Sequence, residues 1–301
     1  MTSALKARGV ALGADALIAL RQVALSARRD PALAALPGGF ATRRKGQGLE
    51  VADTREYVVG DDFRRLDFGT TARTGVLHVR QFQEERDRIT LLVADFRPAM
   101  LWGIRRAFRS VVAAEILSVI GWNVVESGGR VGLLAVLPDK LLVVPARGRA
   151  RGMLDVIGGL VEGHDTALRR VQAGWTGDPP LAEALLRVDR LVPSGAEMVM
   201  ASGFDSLGGN FEDRIEDIAR RRVPRLIHVT DAVGMSLPKG RYPIRLPDGT
   251  RHHIRKRQNA GGTAESQTWI AGHAAMIVDA GQPVEVSAAR VASAFAPERR
   301  P

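Results

Sequence analysis

The chain of 301 residues contains no cysteine. This absence excludes disulfides, thiolate zinc sites, iron–sulfur ligation and a cysteine nucleophile. Aromatic residues make up only 5% of the chain, which argues against a surface that stacks single-stranded nucleic acid. No apolar run reaches the roughly 20 residues that a membrane helix needs. The sequence therefore predicts no membrane span and a cytoplasmic location.

Motifs for common enzyme chemistries are also missing. The sequence has no phosphate-binding P-loop, no G-x-G-x-x-G turn after a strand, no G-x-S-x-G elbow and no H-E-x-x-H. No two of its six histidines stand at the i, i+4 spacing of a helical metal site. We therefore expect a protein that is not an enzyme and that holds no resident cofactor.

Acidic residues are fewer than basic ones. The chain has 33 Asp and Glu against 43 Lys and Arg, which gives a formal net charge of +10. Residues 89–205 are nearly neutral, with 13 basic and 12 acidic residues, so the surplus lies in the flanks. The densest basic run is Arg251 to Arg257. Such a surplus indicates an acidic partner. We favour an acidic protein, and binding of nucleic acid or anionic surfaces through the basic flanks remains an alternative.

Apolar runs that alternate with helical patterns predict the fold. Three short runs have the composition of strands buried on both faces: Ile89–Ala94, Glu197–Ala201 and Arg225–Thr230. A short link joins two further strands, Val131–Leu137 and Leu141–Ala146, which must then pair antiparallel. The order predicts an α/β fold: a Rossmann-like, mostly parallel sheet with helices on both faces and one antiparallel edge strand.

Composition also predicts the domain organisation. We expect an N-terminal helix and linker over residues 1–38 and a small β-rich module over 39–88. The α/β domain then covers residues 89–290, and a polar tail covers 291–301. Within the α/β domain, Asp248-Gly249 predicts a hairpin. After it, residues 263–280 are predicted as a helix and 283–287 as a late strand.

Three aspartates follow buried strands: Asp95, Asp205 and Asp231. Ligands of open α/β sheets bind beyond the carboxyl ends of the strands. Carboxylates that converge there can hold Mg²⁺ together with hydroxyls and water, and Thr176 and Ser202 are candidate hydroxyl ligands. The alternative is that each aspartate caps a helix or a loop amide.

A long motif lies in residues 46–88. It resembles the signature block of the domain-of-unknown-function family fifty-eight, whose members are von Willebrand A-like proteins encoded beside MoxR-type AAA+ ATPases. The matching residues are Arg55-Glu56-Tyr57, Gly60-Asp61-Asp62, Arg64, Leu66-Asp67-Phe68 and Ala72-Arg73-Thr74-Gly75. Leu66 and Phe68 depart conservatively from the family pattern.

The resemblance implies a von Willebrand A-like domain, which often carries a metal-ion-dependent adhesion site. Asp95 matches the first aspartate of that site, and Thr176 and Asp205 resemble its later ligands. Arg97 and Ala99 stand where the two serine ligands are expected, so the metal site is degenerate. We expect Arg97 to replace the ion by pairing with Asp95 or Asp205, because a guanidinium repels Mg²⁺ and never deprotonates. The rival is that Arg97 points outward and a weak Mg²⁺ site survives.

The signature block itself allows three interpretations. Its charged residues can pair with one another, bind a partner or catalyse a reaction, although Asp61 and Asp62 are adjacent and need not converge. The candidate partner-binding residues are Arg55, Glu56, Tyr57, Asp61, Asp62, Arg64, Asp67 and Arg73. The resemblance implies a non-enzymatic adaptor that works with a MoxR-type AAA+ ATPase on an unidentified client protein. A metal-dependent binding module with a degenerate ion site remains an alternative.

Overall fold

The computed structural model describes residues 7–29, 50–58, 61–63, 66–83, 88–231, 240–245, 251–256 and 267–294. Its helices are α1 (Ala14–Arg29), α2 (Phe68–Thr74), α3 (Arg109–Glu126), α4 (Arg149–Gln172), α5 (Leu181–Leu185), α6 (Val188–Leu191), α7 (Phe211–Arg221) and α8 (Val284–Ala294). Its strands are β1 (Glu50–Glu56), β2 (His78–Gln83), β3 (Ile89–Asp95), β4 (Arg130–Val136), β5 (Leu141–Gly148), β6 (Glu197–Ser202), β7 (Val223–Thr230), β8 (Gly240–Arg245), β9 (Arg251–Lys256), β10 (Gln267–Ile270) and β11 (His273–Asp279).

A seven-stranded sheet in the order β10-β11-β7-β6-β3-β4-β5 forms the centre of the larger unit. The five strands from β11 to β4 are parallel, and the two outer strands pair antiparallel. Strands β3 and β6 are buried on both faces, as their continuous aliphatic runs predicted. The predicted mostly parallel sheet flanked by helices is confirmed.

Helices cover both faces of this sheet. One hydrophobic cluster joins it to α1, α3, α4 and α8, and a second joins it to α5, α6 and α7. Helix α3 is buried almost all round because it lies between the sheet and the outer helices α1 and α8. The indole N–H of Trp122 donates to the carbonyl of Leu17 at 3.1 Å and fastens α1 to α3.

Two predictions near the C-terminus are wrong. Residues 263–280, predicted as a helix, contain the antiparallel strands β10 and β11, which give the sheet its second antiparallel edge. Ala271 and Gly272 form the turn with φ of 47° and 72°, and alanine there gave no turn signal. Residues 283–287, predicted as a strand, instead begin α8, which is buried through Ala288 and Val291 and extends into the predicted tail.

The second compact unit spans Ala41–Asp87 and corresponds to the β-rich module predicted at 39–88. Its strands β1 and β2 pair antiparallel, from Glu50 opposite Gln83 to Glu56 opposite His78. Helix α1 was predicted in a segment apart from the α/β domain, but it belongs to the larger unit. The small unit is therefore an insertion, in chain order, between the first helix and the first strand of the larger unit.

On either side of the predicted turn Asp248-Gly249, which lies outside the described residues, β8 and β9 pair antiparallel from Gly240 opposite Lys256 to Arg245 opposite Arg251. Strand β9 contains the basic run up to Lys256, whereas Arg257 lies outside the described residues. Within the described ranges, no helix combines the length and the apolar character that crossing a bilayer requires.

Candidate functional site

The connections of β3 and β6 create a crevice at the carboxyl edge of the sheet. The chain leaves β3 for α3 on one face and leaves β6 for α7 on the opposite face, although the two strands are neighbours. This is the topological switch point where open α/β sheets bind ligands. Asp95 ends β3 and Ser202 ends β6, so their side chains meet at this point.

Arg97 fills the crevice. Its side chain is completely buried, and its Nε and Nη2 donate to Oδ1 and Oδ2 of Asp95 at 2.9 and 2.8 Å. The hydroxyl of Ser202 also donates to Oδ2 of Asp95, at 2.6 Å, and the backbone N–H of Arg97 donates to Oδ1 at 3.0 Å. Each carboxylate oxygen of Asp95 thus accepts two hydrogen bonds from protein groups.

The rest of the guanidinium holds two distant loops. Nη1 donates to the carbonyls of Pro179 and Ser206 at 2.6 and 3.1 Å, and Nη2 donates to that of Asp205 at 2.7 Å. Burial opposes the charged form, but the hydrogen bonds with Asp95 and the surrounding negative charges outweigh it and raise the pKa of Arg97. The guanidinium therefore stays charged and acts as a fixed cation that joins three segments.

The residues at this edge do not fit a Mg²⁺ site. The oxygens of Asp95 face a guanidinium, and a second cation beside it would be repelled. Ala99 offers no side-chain oxygen, and exposed Thr176 makes no hydrogen bond to Asp95 or Asp205 within the described chain. The described residues contain no cluster of three or more His, Asp or Glu side chains that can hold a metal.

This geometry leads to a prediction for metal binding. We expect calorimetric titration with Mg²⁺ or Mn²⁺ to detect no micromolar binding to the wild-type protein, because Arg97 already neutralises Asp95. A clear micromolar isotherm that the Asp95→Ala variant abolishes would contradict this expectation.

Sequence reasoning missed two groups of the site. Oδ1 of Asp178 accepts from the backbone N–H of Ala99 at 3.1 Å, and burial raises the pKa of Asp178 although that bond and Arg97 lower it. Arg109 donates through Nη2 to Oδ2 of Asp205 at 2.8 Å. Asp178 stands two residues after Thr176, and proximity to that motif was its only signal. Arg109 is the first residue of α3, and no sequence motif singled it out.

The loop after β6 has strained backbone. Phe204 and Ser206 have φ of 54° and 49°, a region that costs a non-glycine residue about 1–3 kcal/mol. The carbonyls of Asp205 and Ser206 in the same loop accept hydrogen bonds from Arg97. The buried guanidinium therefore helps to hold this strained conformation.

The third strand-end aspartate has a different role. Oδ2 of Asp231 accepts from the backbone N–H of Ile104 at 2.7 Å. Asp231 is buried and stabilises the loop that leads into α3. This is the capping alternative considered for the strand-end carboxylates.

In the small unit, the charged signature residues organise a turn. Nη1 and Nη2 of Arg55 donate to the two oxygens of Asp61 at 2.7 and 2.6 Å, and the N–H of Val58 donates to Oδ2 at 2.9 Å. The bonds from Arg55 first, and then that from Val58, lower the pKa of Asp61. Asp67 accepts from the N–H of Thr70 at 2.8 Å and caps α2.

The other candidate partner-binding residues have varied surroundings. The side chains of Glu56, Asp62 and Arg73 are exposed, and the half-buried ring of Tyr57 lies 5.0 Å from that of Phe63 between centroids. Arg64 lies outside the described residues.

Sequence reasoning also missed a set of exposed apolar side chains in the small unit. Phe68 is 73% exposed, and Val58 and Phe63 are each 61% exposed. Val76 and Leu77 are also exposed. These residues lie inside the signature block or next to it, so the block presents apolar as well as charged groups to solvent.

Comparison with known proteins identifies the family. A model described as "Protein of unknown function DUF58" matches residues 53–259, more than half of the chain. Proteins described as uncharacterized, from Mycobacterium bovis and Mycobacterium tuberculosis, are each 31% identical to the chain over 198 residues. The match covers 64% of this chain but 58% of each relative, so it spans less than two thirds of their length. The chain therefore belongs to the DUF58 family.

Proposed function

We propose that this chain is a non-enzymatic, cytoplasmic adaptor that binds a MoxR-type AAA+ ATPase and presents it with a client protein. The small unit provides the ATPase-binding surface. The observation that carries the proposal is the set of exposed apolar side chains on the signature block, headed by Phe68, Phe63 and Val58. Exposed aromatic and aliphatic groups that cluster on a polar scaffold are typical of protein-binding surfaces.

The charged residues of the signature act in this proposal as the scaffold of that surface. The bidentate pair between Arg55 and Asp61 closes the turn that precedes Phe63, and the cap from Asp67 begins the helix that starts at Phe68. A surface held in its binding conformation loses less conformational entropy on association. The charged residues thus support binding by fixing the positions of the apolar ones.

The larger unit supports an adaptor role in a different way. Arg97 joins the end of β3 to the loops at Pro179 and at Asp205. The loops at the carboxyl edge of the sheet are therefore positioned by the protein's own cation. We propose that this edge keeps its shape without a resident metal or cofactor.

The proposal is tested by measuring affinity for a MoxR-type AAA+ ATPase from the same organism, with both proteins purified. We expect the Phe63→Asp/Phe68→Asp variant to bind at least about tenfold more weakly, because two carboxylates would have to be desolvated in the interface. The matched control is Trp269→Asp, which alters a side chain that is 75% exposed on β10 of the larger unit. It should retain wild-type affinity.

Two outcomes contradict the proposal. One is the absence of measurable binding between the wild-type protein and the ATPase with or without nucleotide. The other is equal weakening by the Trp269→Asp control, which would show that the small unit does not provide a specific surface.

A further inference from the structure

The free edge of the central sheet borders a groove that the adaptor proposal does not use. A cavity of about 460 Å³ lies where β5 and the turn before it face the short helix α6 and the residue that precedes it. Its lining combines three cationic and three aliphatic side chains: Lys140, Leu141, Val143, Arg187, Arg190 and Leu191. Because β5 is the last strand of the sheet in the described chain, it pairs with β4 on one side and its outer edge, beside the groove, has no partner strand there.

Hydrogen-bond alternation shows which backbone groups face the groove. The N–H of Leu137 donates to the carbonyl of Lys140 at 2.9 Å, which closes the β4–β5 hairpin. In an antiparallel pair, hydrogen-bonded and non-hydrogen-bonded positions alternate. The register places Leu141 and Val143 at non-hydrogen-bonded positions, opposite Val136 and Leu134, so their N–H and C=O groups point away from β4. Pro145, which has no N–H, follows and keeps this open edge short.

The charged side chains that line the groove are all positive. Arg187 and Arg190 are three residues apart, a spacing that puts both side chains on one face of the helical segment. These two arginines and Lys140 are exposed, and none of them forms an ion pair within the part of the chain that the structure describes. Neighbouring carboxylates already have partners, since Asp139 pairs with Arg170 and Asp189 with Arg222.

We propose that this groove binds an extended acidic segment of a partner protein, which adds to β5 as a further strand. The outward backbone groups of Leu141 and Val143 supply the hydrogen bonds, as in other cases of strand addition. Carboxylates on one face of the segment pair with the three cations, and the aliphatic lining covers the stems of its side chains. The proposal is independent of the ATPase partnership, because it concerns a different surface and a different feature of the partner.

Peptide binding tests this proposal. The probe is a short fluorescein-labelled peptide in which glutamate and valine alternate, and its binding to the full chain is followed by fluorescence anisotropy. We expect the Arg187→Glu/Arg190→Glu variant to bind it at least roughly tenfold more weakly, because complementary charges become repulsive. The matched control, Arg105→Glu/Arg151→Glu, makes the same change in net charge at two exposed arginines outside the groove and should bind within about twofold of wild type.

A second variant separates strand addition from simple charge attraction. Val143→Pro removes an N–H that β4 does not use, and proline is tolerated on edge strands. It should weaken peptide binding roughly tenfold while the groove keeps its charge. Hydrogen exchange on the wild-type protein tests the same contact without a variant, since bound peptide should protect the amides of Leu141 and Val143, which do not bond to β4.

The proposal is overturned by any of three results. The first is equal affinity for the glutamate peptide and for a matched peptide with lysine in place of glutamate. The second is peptide binding that leaves the amides of Leu141 and Val143 as unprotected as they are without peptide. The third is tighter binding of a single-stranded oligonucleotide that displaces the peptide, which would assign the cations to nucleic acid.

Discussion

Replacing Arg97 with methionine is expected to lower the free energy of unfolding by about 3–5 kcal/mol, the cost of breaking a buried ion pair by removing one partner. The variant leaves Asp95 with no countercharge in a fully buried site. It also removes the donors to the carbonyls of Pro179, Asp205 and Ser206, of which the last two belong to a strained loop. Urea denaturation at neutral pH measures the change.

Two further variants test whether the loss of stability comes from the unpaired buried charge. The double variant Asp95→Asn/Arg97→Met should recover part of the lost stability, because it leaves no uncompensated buried charge. Arg170→Met breaks an ion pair with Asp139 at the surface and should cost at most about 1 kcal/mol. If Arg97→Met cost no more than Arg170→Met, the guanidinium would not be the cation that holds this edge together.

Stability should also fall in weak acid because of His164. This side chain is fully buried, and burial lowers its pKa from 6.5 to about 4. Its Nε2 lies 3.0 Å from the hydroxyl of Ser110, the ring of Phe96 packs edge-on, and Nδ1 has no hydrogen-bond partner. Burial accounts for the lowered pKa, and no carboxylate in the described part of the chain offsets it by stabilising a positive charge on the ring.

The direction of the pH effect follows from proton linkage. The unfolded chain binds a proton at His164 near pH 6.5, and the folded chain binds it only near pH 4. Stability therefore decreases as the pH falls from about 6.5 to about 4, by up to about 3 kcal/mol for this one group, and its contribution then levels off.

The His164→Met variant isolates this effect. Denaturation of both proteins between pH 7.5 and about pH 4 gives the free energy of unfolding as a function of pH, and carboxylate titrations cancel in the difference between the two curves. We expect the wild type to lose stability more steeply than the variant below about pH 6.5. Parallel curves would show that His164 has an ordinary pKa in the folded protein.

Local sequence patterns predicted much of the large unit. The aliphatic runs of β3 and β6 identified buried strands, and the short link before Leu141 identified an antiparallel edge. The C-terminal region was harder to predict. Residues 273–279 are apolar enough for a helix or a strand, and only pairing with β7 and β10 decides between them. Pattern analysis is least decisive for such short apolar runs.

The candidate site, too, was predicted from the sequence only in part. Sequence alone placed Asp95 at a strand end, put Arg97 where a serine ligand is expected, and led us to expect an ion pair between Arg97 and Asp95 or Asp205. It could not identify the other partners of Arg97, because Pro179 and Ser206 contribute backbone carbonyls, which every residue has.

By itself, then, the sequence determined the class of sheet, the family signature and the absence of a serine at positions 97 and 99, because each depends on residue type and short-range spacing. The tertiary structure decided which loops the buried cation joins, that Arg55 and Asp61 of the signature pair with each other, and that the outer edge of β5 lies beside three cations. These features depend on which segments, distant in the sequence, pack against one another in the folded chain, and long-range packing decides this. Short-range periodicity carries no information about it.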